Sequence, residues 1–65
     1  MKIGIAGTGF MGVTHAAGWA ETPATIAGFV GGTPTSAQPL ADQHNAKAYP
    51  NLEAMLADVD VVDIC

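Results

Sequence analysis

Apolar residues fall along this chain in short runs, separated by clusters of glycine, proline and small polar residues. Lys2 to Ala6 sets Ile3 and Ile5 between small residues, which predicts a short buried strand. Gly7 to Gly12 is a glycine-rich turn. Met11 to about Ala20 then reads as a helix, with Met11, Ala16, Trp19 and Ala20 available for its apolar face. Gly18 weakens that helix by roughly 1 kcal/mol relative to Ala; it either lets a neighbouring strand approach or reflects ordinary drift. Thr22-Pro23 ends it. Thr25 to Val30, with Ile26, Phe29 and Val30, predicts a second strand, buried on both faces.

Gly31 to Ser36 reads as a loop leading into a short helix with Ser36 as its N-cap. That start places Pro39 in the first turn, where its missing N–H costs nothing; a start at Thr33-Pro34 would put Pro39 in the interior and kink the helix. Asn45 is suited to a left-handed terminator. Lys47 to Tyr49 predicts a very short third strand. Asn51 caps a further helix, with Glu53 in its first turn favourable to the helix dipole. Leu52, Met55, Leu56 and Val59 fall at i, i+3, i+4 and i+7, one face of that helix. Asp60 to Cys65, with Val61, Val62 and Ile64, predicts a buried fourth strand.

Strands alternating with helices imply a parallel sheet with helices packed on its faces and right-handed crossovers between strands. The expected fold is α/β: a Rossmann-like, doubly wound parallel sheet, of which residues 1–65 supply the N-terminal βαβαβ half. There is no internal repeat, no low-complexity segment and no second domain within the sequence.

Composition narrows the function. Of the 65 residues 49% are apolar, which suits a buried core rather than a disordered tail. A chain this short buries only about 60% of its unfolded surface, so stability drawn from it alone is marginal. Two basic residues, Lys2 and Lys47, stand against six acidic ones, for a net charge of −4. A nucleic-acid partner or an anionic membrane surface would need a basic face, so neither is expected. No apolar stretch approaches the ~20 residues of a transmembrane helix, and no signal-peptide core precedes the glycines, so a cytoplasmic setting is expected. Cys65 has no second cysteine to pair with, and no Cys/His cluster shows metal-ligand spacing; no metal is expected.

The run Gly7-Thr8-Gly9-Phe10-Met11-Gly12 carries the chemistry. A G-x-G-x-x-G run is weak by itself, but here an apolar strand precedes it, a helix follows and a second strand completes the unit. Gly7 allows the tight turn, Gly9 lets a pyrophosphate approach the backbone, and Gly12 lets helix and strand pack closely. N–H groups and the positive dipole end at the helix start then face the phosphates, so no Lys or Arg is needed. These six residues are the predicted pyrophosphate cradle of a dinucleotide cofactor.

The end of the second strand departs from the pattern. An NAD site places a carboxylate about 20 residues past the glycine loop to accept from the ribose hydroxyls. That place falls on Gly31, followed by Gly32, Thr33, Pro34, Thr35 and Ser36, with no acid. Gly31, Gly32, Thr33 and Ser36 are therefore the candidate adenosine-side residues, and Thr33, Thr35 and Ser36 could donate to a 2′-phosphate. The arginine that usually clamps that phosphate is missing too. The balance tips narrowly to NADP over NAD.

Other polar residues read as structural. His15, one turn into the first helix, reads as a hydrogen-bonded structural histidine and His44 as a solvated residue at a helix C-terminus. Asp63 lies in an apolar strand and needs partners, for which backbone N–H groups are expected. Cys65, beside nothing basic in the sequence, reads as a packing residue and Trp19 as core.

Several segments together resemble the Gfo/Idh/MocA oxidoreductases, the glucose-fructose oxidoreductase and inositol dehydrogenase family. Met1 to Gly12 fits its opening strand and glycine loop, and Gly12-Val13-Thr14-His15-Ala16 is similar to its G-x-x-H-A. Ala48-Tyr49-Pro50-Asn51-Leu52-Glu53-Ala54-Met55-Leu56-Ala57 resembles its A-Y-x-D-L-E-x-L-L-A segment, and Asp60 to Cys65 its next strand. The missing acid at Gly31, the helix start forced by Pro39, and Gly18 depart from it.

The resemblance implies a full-length protein several times longer, whose C-terminal α/β domain holds a small-molecule substrate and mediates homo-oligomerisation. It implies hydride transfer between a nicotinamide cofactor and a sugar-like or polyol substrate. The family's catalytic lysine, in a Glu-Lys-Pro motif, would lie beyond Cys65, so no catalytic residue is assigned here; Lys2 and Lys47 match no such position. Alone, the chain is expected to be inactive, to bind NAD(P) weakly or not at all, and to be poorly soluble through its exposed sheet edge. Rival readings are a β-hydroxyacid dehydrogenase, whose loop also ends in Met-Gly, and a non-catalytic nucleotide-binding module or sensor.

Overall fold

The computed structural model describes residues 1–33 and 36–65. Its elements run β1 (Lys2–Ala6), α1 (Phe10–Ala20), β2 (Thr25–Val30), α2 (Gln38–Gln43), β3 (Lys47–Ala48), α3 (Leu52–Leu56) and β4 (Val61–Ile64). The four strands form one sheet in the order β3-β2-β1-β4, and every neighbouring pair is parallel. After β3 the chain crosses back over the sheet to place β4 on the far side of β1. That reversal is the switch point of a doubly wound sheet, beside which ligands bind at the carboxyl ends of the strands.

Side chains alternate across a strand, so each face takes its own set. Ile3, Ile5, Ile26 and Phe29 meet Ala16 of α1 and Leu40 and Ala41 of α2 on one face. Val30, Tyr49 and Met55 pack together on the other, under α3. Phe29, Ile3, Ile5 and Met55 are the largest fully buried side chains, each contributing about 1.5–3 kcal/mol through removal from water. The register between β1 and β2 shifts once, between Ile3 and Gly4, where Ala27 is the extra residue on β2.

Several local expectations hold. Pro39 lies in the first turn of α2, Asn45 takes a left-handed φ of 53°, and the Asn51 Oδ1 accepts from the Ala54 N–H at 2.8 Å as the cap of α3. Others need correction. The cap of α2 is Ala37, without a side-chain bond, because the Ser36 hydroxyl is turned back to the Thr33 carbonyl. On α1 the contact with the sheet falls to Gly12 and Ala16, while Met11 and Ala20 are exposed. A side chain at Gly18 would meet nothing, so that glycine admits no close approach.

The expected apolar face of α3 is only partly buried. Met55 is enclosed, but Leu52 and Leu56 are exposed, since so short a helix turns one residue squarely into the sheet. β4, the outermost strand among the described residues, is half-exposed rather than buried, with Ile64 75% exposed. His44 is half-buried rather than solvated: it ends α2 with its ring 5.7 Å from the Phe29 ring. Among the described residues no helix is long and apolar enough to cross a membrane.

Candidate functional site

The carboxyl end of β1 turns through Gly7, whose φ of +122° is a conformation that L side chains rarely adopt. Its N–H donates to the Val30 carbonyl at 2.8 Å, so the turn is tied to the end of β2. Gly9 then caps α1, with no side chain to satisfy the first N–H groups of the helix. Those groups have no intrahelical partner by geometry and point out of the helix start. A Cβ on Gly12 would come within 2.8 Å of the Gly7 carbonyl carbon and nearer still to its oxygen. Only glycine lets α1 seat so close to the loop. Thr8 is half-buried, whereas the Phe10 and Met11 side chains stand in solvent on either side of the helix start.

The end of β2 reaches the same edge. Where Gly31 lacks a side chain, Ser36 Oγ occupies the space, and Thr8 Oγ1 lies 2.8 Å from the same point. Ser36 Oγ donates to the Thr33 carbonyl at 3.1 Å and accepts from the Thr33 N–H at 3.3 Å. A cavity of about 340 Å³ beside these groups is lined by Thr8, Val13, Ser36, Pro39, Leu40 and Gln43, with no carboxylate among them. The glycine loop, Gly31 and Ser36 are thus gathered at one place. Gly32 and Thr33 are exposed at its rim, and Thr35 lies outside the described residues.

A second constellation lies where α1 faces β4. His15 and Trp19, four apart on the helix, share one side; Asp63 and Cys65, two apart along the β4 strand direction, share the facing side. Asp63 Oδ2 sits 2.7 Å from His15 Nδ1 and accepts from the Trp19 indole N–H at 2.9 Å. Cys65 Sγ lies 3.3 Å from His15 Nδ1. The Trp19 N–H, and then His15, hold the Asp63 carboxyl below the usual carboxylate range, whereas partial burial and the Asp63 charge push the Cys65 thiol up.

Three sequence readings change here. Asp63 is satisfied by side chains rather than by backbone N–H groups, since strand alternation turns it towards α1. Cys65 has a histidine beside it. Trp19 is a half-buried edge of the core with a polar partner. His15 is hydrogen-bonded, as expected. The paired spacings, four on the helix and two on the strand, were the available signal.

The comparisons agree with this architecture. A family model described as an oxidoreductase family with an NAD-binding Rossmann fold matches residues 1–65. Among solved structures, UDP-N-acetylglucosamine 3-dehydrogenase from Acidithiobacillus ferrooxidans is 33% identical with a TM-score of 0.87, over 98% of this chain and 21% of that one. A protein provisionally named a myo-inositol dehydrogenase, from Sinorhizobium meliloti 1021, is 25% identical with a TM-score of 0.90, over 100% of this chain and 20% of that one. The chain therefore spans about a fifth of the length of these structural relatives. No curated protein matches the sequence. With its parallel sheet, its glycine turn and a family match along its whole length, the chain belongs to the Gfo/Idh/MocA oxidoreductase family as an NAD-binding Rossmann domain.

Proposed function

We propose that the edge formed by Gly7, Thr8, Gly9, Phe10, Met11 and Gly12 holds the pyrophosphate of a nicotinamide dinucleotide, with Gly31, Gly32, Thr33 and Ser36 beside the adenosine. The carrying observation is at Gly9: a Cβ there would touch nothing within 4 Å, so the space over the helix start is open on the ligand side. At Gly12 the helix is instead pressed against the loop. One glycine is thus needed by the fold, whereas the other leaves the approach to the helix start open. The N–H groups at the start of α1 bind the anion.

Within that reading NADP is favoured narrowly over NAD. Ser36 Oγ stands where an NAD site would present its carboxylate, and nothing in the lining repels a 2′-phosphate. When bound, the nicotinamide supplies hydride transfer at its C4. We place this chain as the N-terminal part of a longer dehydrogenase that acts on a sugar-like or polyol substrate, with its proton-transfer residue beyond Cys65. The names of the two structural relatives, both dehydrogenases, support the substrate class.

Gly9→Ala tests the assignment in the full-length protein. The backbone there is extended, with φ −78° and ψ −159°, and the added methyl meets no protein atom. We expect an unchanged melting temperature and a tenfold or greater loss of affinity for both NAD and NADP by calorimetry. Unchanged affinity would remove the cradle. The ratio of the two native affinities settles the cofactor, and turnover across a panel of polyols separates an enzyme from a silent binding module.

A further inference from the structure

We propose that His15, Asp63 and Cys65 form a binding site for one thiophilic divalent cation, bridging α1 and β4 beneath the glycine loop. One donor atom from each of these residues lies within 4.8 Å of the others: an imidazole nitrogen, a carboxylate oxygen and a thiol sulfur. Zinc-like ions take such donors at about 2.0–2.3 Å, which sets neighbouring donors about 3–4 Å apart in a tetrahedral site. His15 Nδ1 and Cys65 Sγ, at 3.3 Å, already meet that spacing. His15 Nδ1 and Asp63 Oδ2, at 2.7 Å, need to part by about half an ångström.

The framework around the donors is built. The Cys65 N–H donates to the Ala6 carbonyl at 2.9 Å, which fixes the backbone that carries both strand donors. The Trp19 indole N–H, at 2.9 Å, bonds the same Asp63 Oδ2 that faces His15 and so holds the carboxylate in place, as partners of ligating carboxylates do. The His15 and Asp63 side chains are 33% and 20% exposed, so a cation can reach them. A cleft of about 250 Å³ lined by His15, Gly18, Trp19, Thr22 and Asp63 leaves room for a solvent ligand in the fourth position.

A nitrogen, oxygen and sulfur set selects zinc-like ions and disfavours magnesium and calcium, which take oxygen throughout. On binding, the thiol proton leaves to solvent as the metal–sulfur bond forms, and the imidazole keeps its proton on Nε2 while Nδ1 coordinates. The site does not depend on the cofactor reading. It does touch the loop, because a Cβ on Gly7 would lie 3.2 Å from the Cys65 Cβ.

Cadmium titration of the full chain, under a non-thiol reductant, tests the assignment through the ultraviolet thiolate-to-cadmium charge-transfer band. We expect one equivalent bound, displacement by zinc but not by magnesium, and loss of the band in Cys65→Ser. His15→Gln and Asp63→Asn should each weaken binding tenfold or more, with circular dichroism confirming that the variants are folded. Should Asp63→Asn fail to fold, His15→Gln carries the same comparison. No band, or a band of native affinity in His15→Gln, would reduce the site to a lone thiol and overturn the proposal.

Discussion

Two glycines in one helix allow a measurement that isolates a single contact. Gly12 and Gly18 both lie in α1, and replacing either with alanine gains helix propensity of about 1 kcal/mol. Gly18 has open space where its Cβ would be, so Gly18→Ala should realise that gain in full. At Gly12 the new methyl meets the Gly7 carbonyl, whose carbon is 2.8 Å away, and the obstacle is backbone rather than a side chain that can rotate. Forcing a methyl into a filled space typically costs about 1–3 kcal/mol. Because the propensity gain is common to both variants, the difference between them reports the steric cost alone. We expect Gly18→Ala to be the more stable by at least 1–3 kcal/mol, about 4–8 °C in melting temperature per kcal/mol for a domain of this size. Thermal and urea denaturation followed by circular dichroism supply both values. If Gly12→Ala stabilises as much as Gly18→Ala, helix and loop do not touch as described, and the account of the turn is wrong.

Tyr49 should show an alkaline signature. Its hydroxyl donates to Asp58 Oδ2 at 2.7 Å, and that bond, with burial and the Asp58 charge, raises its pKa above the ordinary value of 10.0. Its contribution is therefore complete below about pH 10 and is lost as pH climbs through the folded value. Tyr49→Phe should flatten that loss, and since Tyr49 is the sole tyrosine, ultraviolet tyrosinate absorbance follows it alone; a midpoint at or below 10 contradicts the bond. Asn51→Ala should cost about 1 kcal/mol in urea denaturation by removing the cap on the Ala54 N–H, and a change within error means the cap is made by water instead.

What the sequence disclosed followed from how local each requirement is. Gly7 and Gly12 were legible because backbone conformation at one and close approach at the other demand glycine, between a flanking strand and helix. Pro39, Asn45 and Asn51 were legible for the same reason: each acts on its own few residues. The apolar period of α3 overstated burial, because period gives a face but not what lies opposite; Leu56 faces water. Ser36 carries the right chemistry for a cap, yet a competing turn with Thr33 uses its hydroxyl. The grouping of His15, Trp19, Asp63 and Cys65 joins positions about fifty residues apart, which only the pairing of β4 with β1 brings together.

That pairing also governs the order in which the fold can assemble. Lys2 and Asp60 clasp each other, the Lys2 N–H donating to Asp60 Oδ2 at 2.8 Å and the Asp60 N–H to the Lys2 carbonyl at 2.8 Å. β1 therefore waits through synthesis of three helices and two other strands for its second neighbour. A loop of that span is slow to close, so β1 spends that interval with one hydrogen-bonding edge open. The segment that leads into the glycine turn thus keeps one row of N–H and C=O groups open to a wrong strand until Val61 to Ile64 arrive.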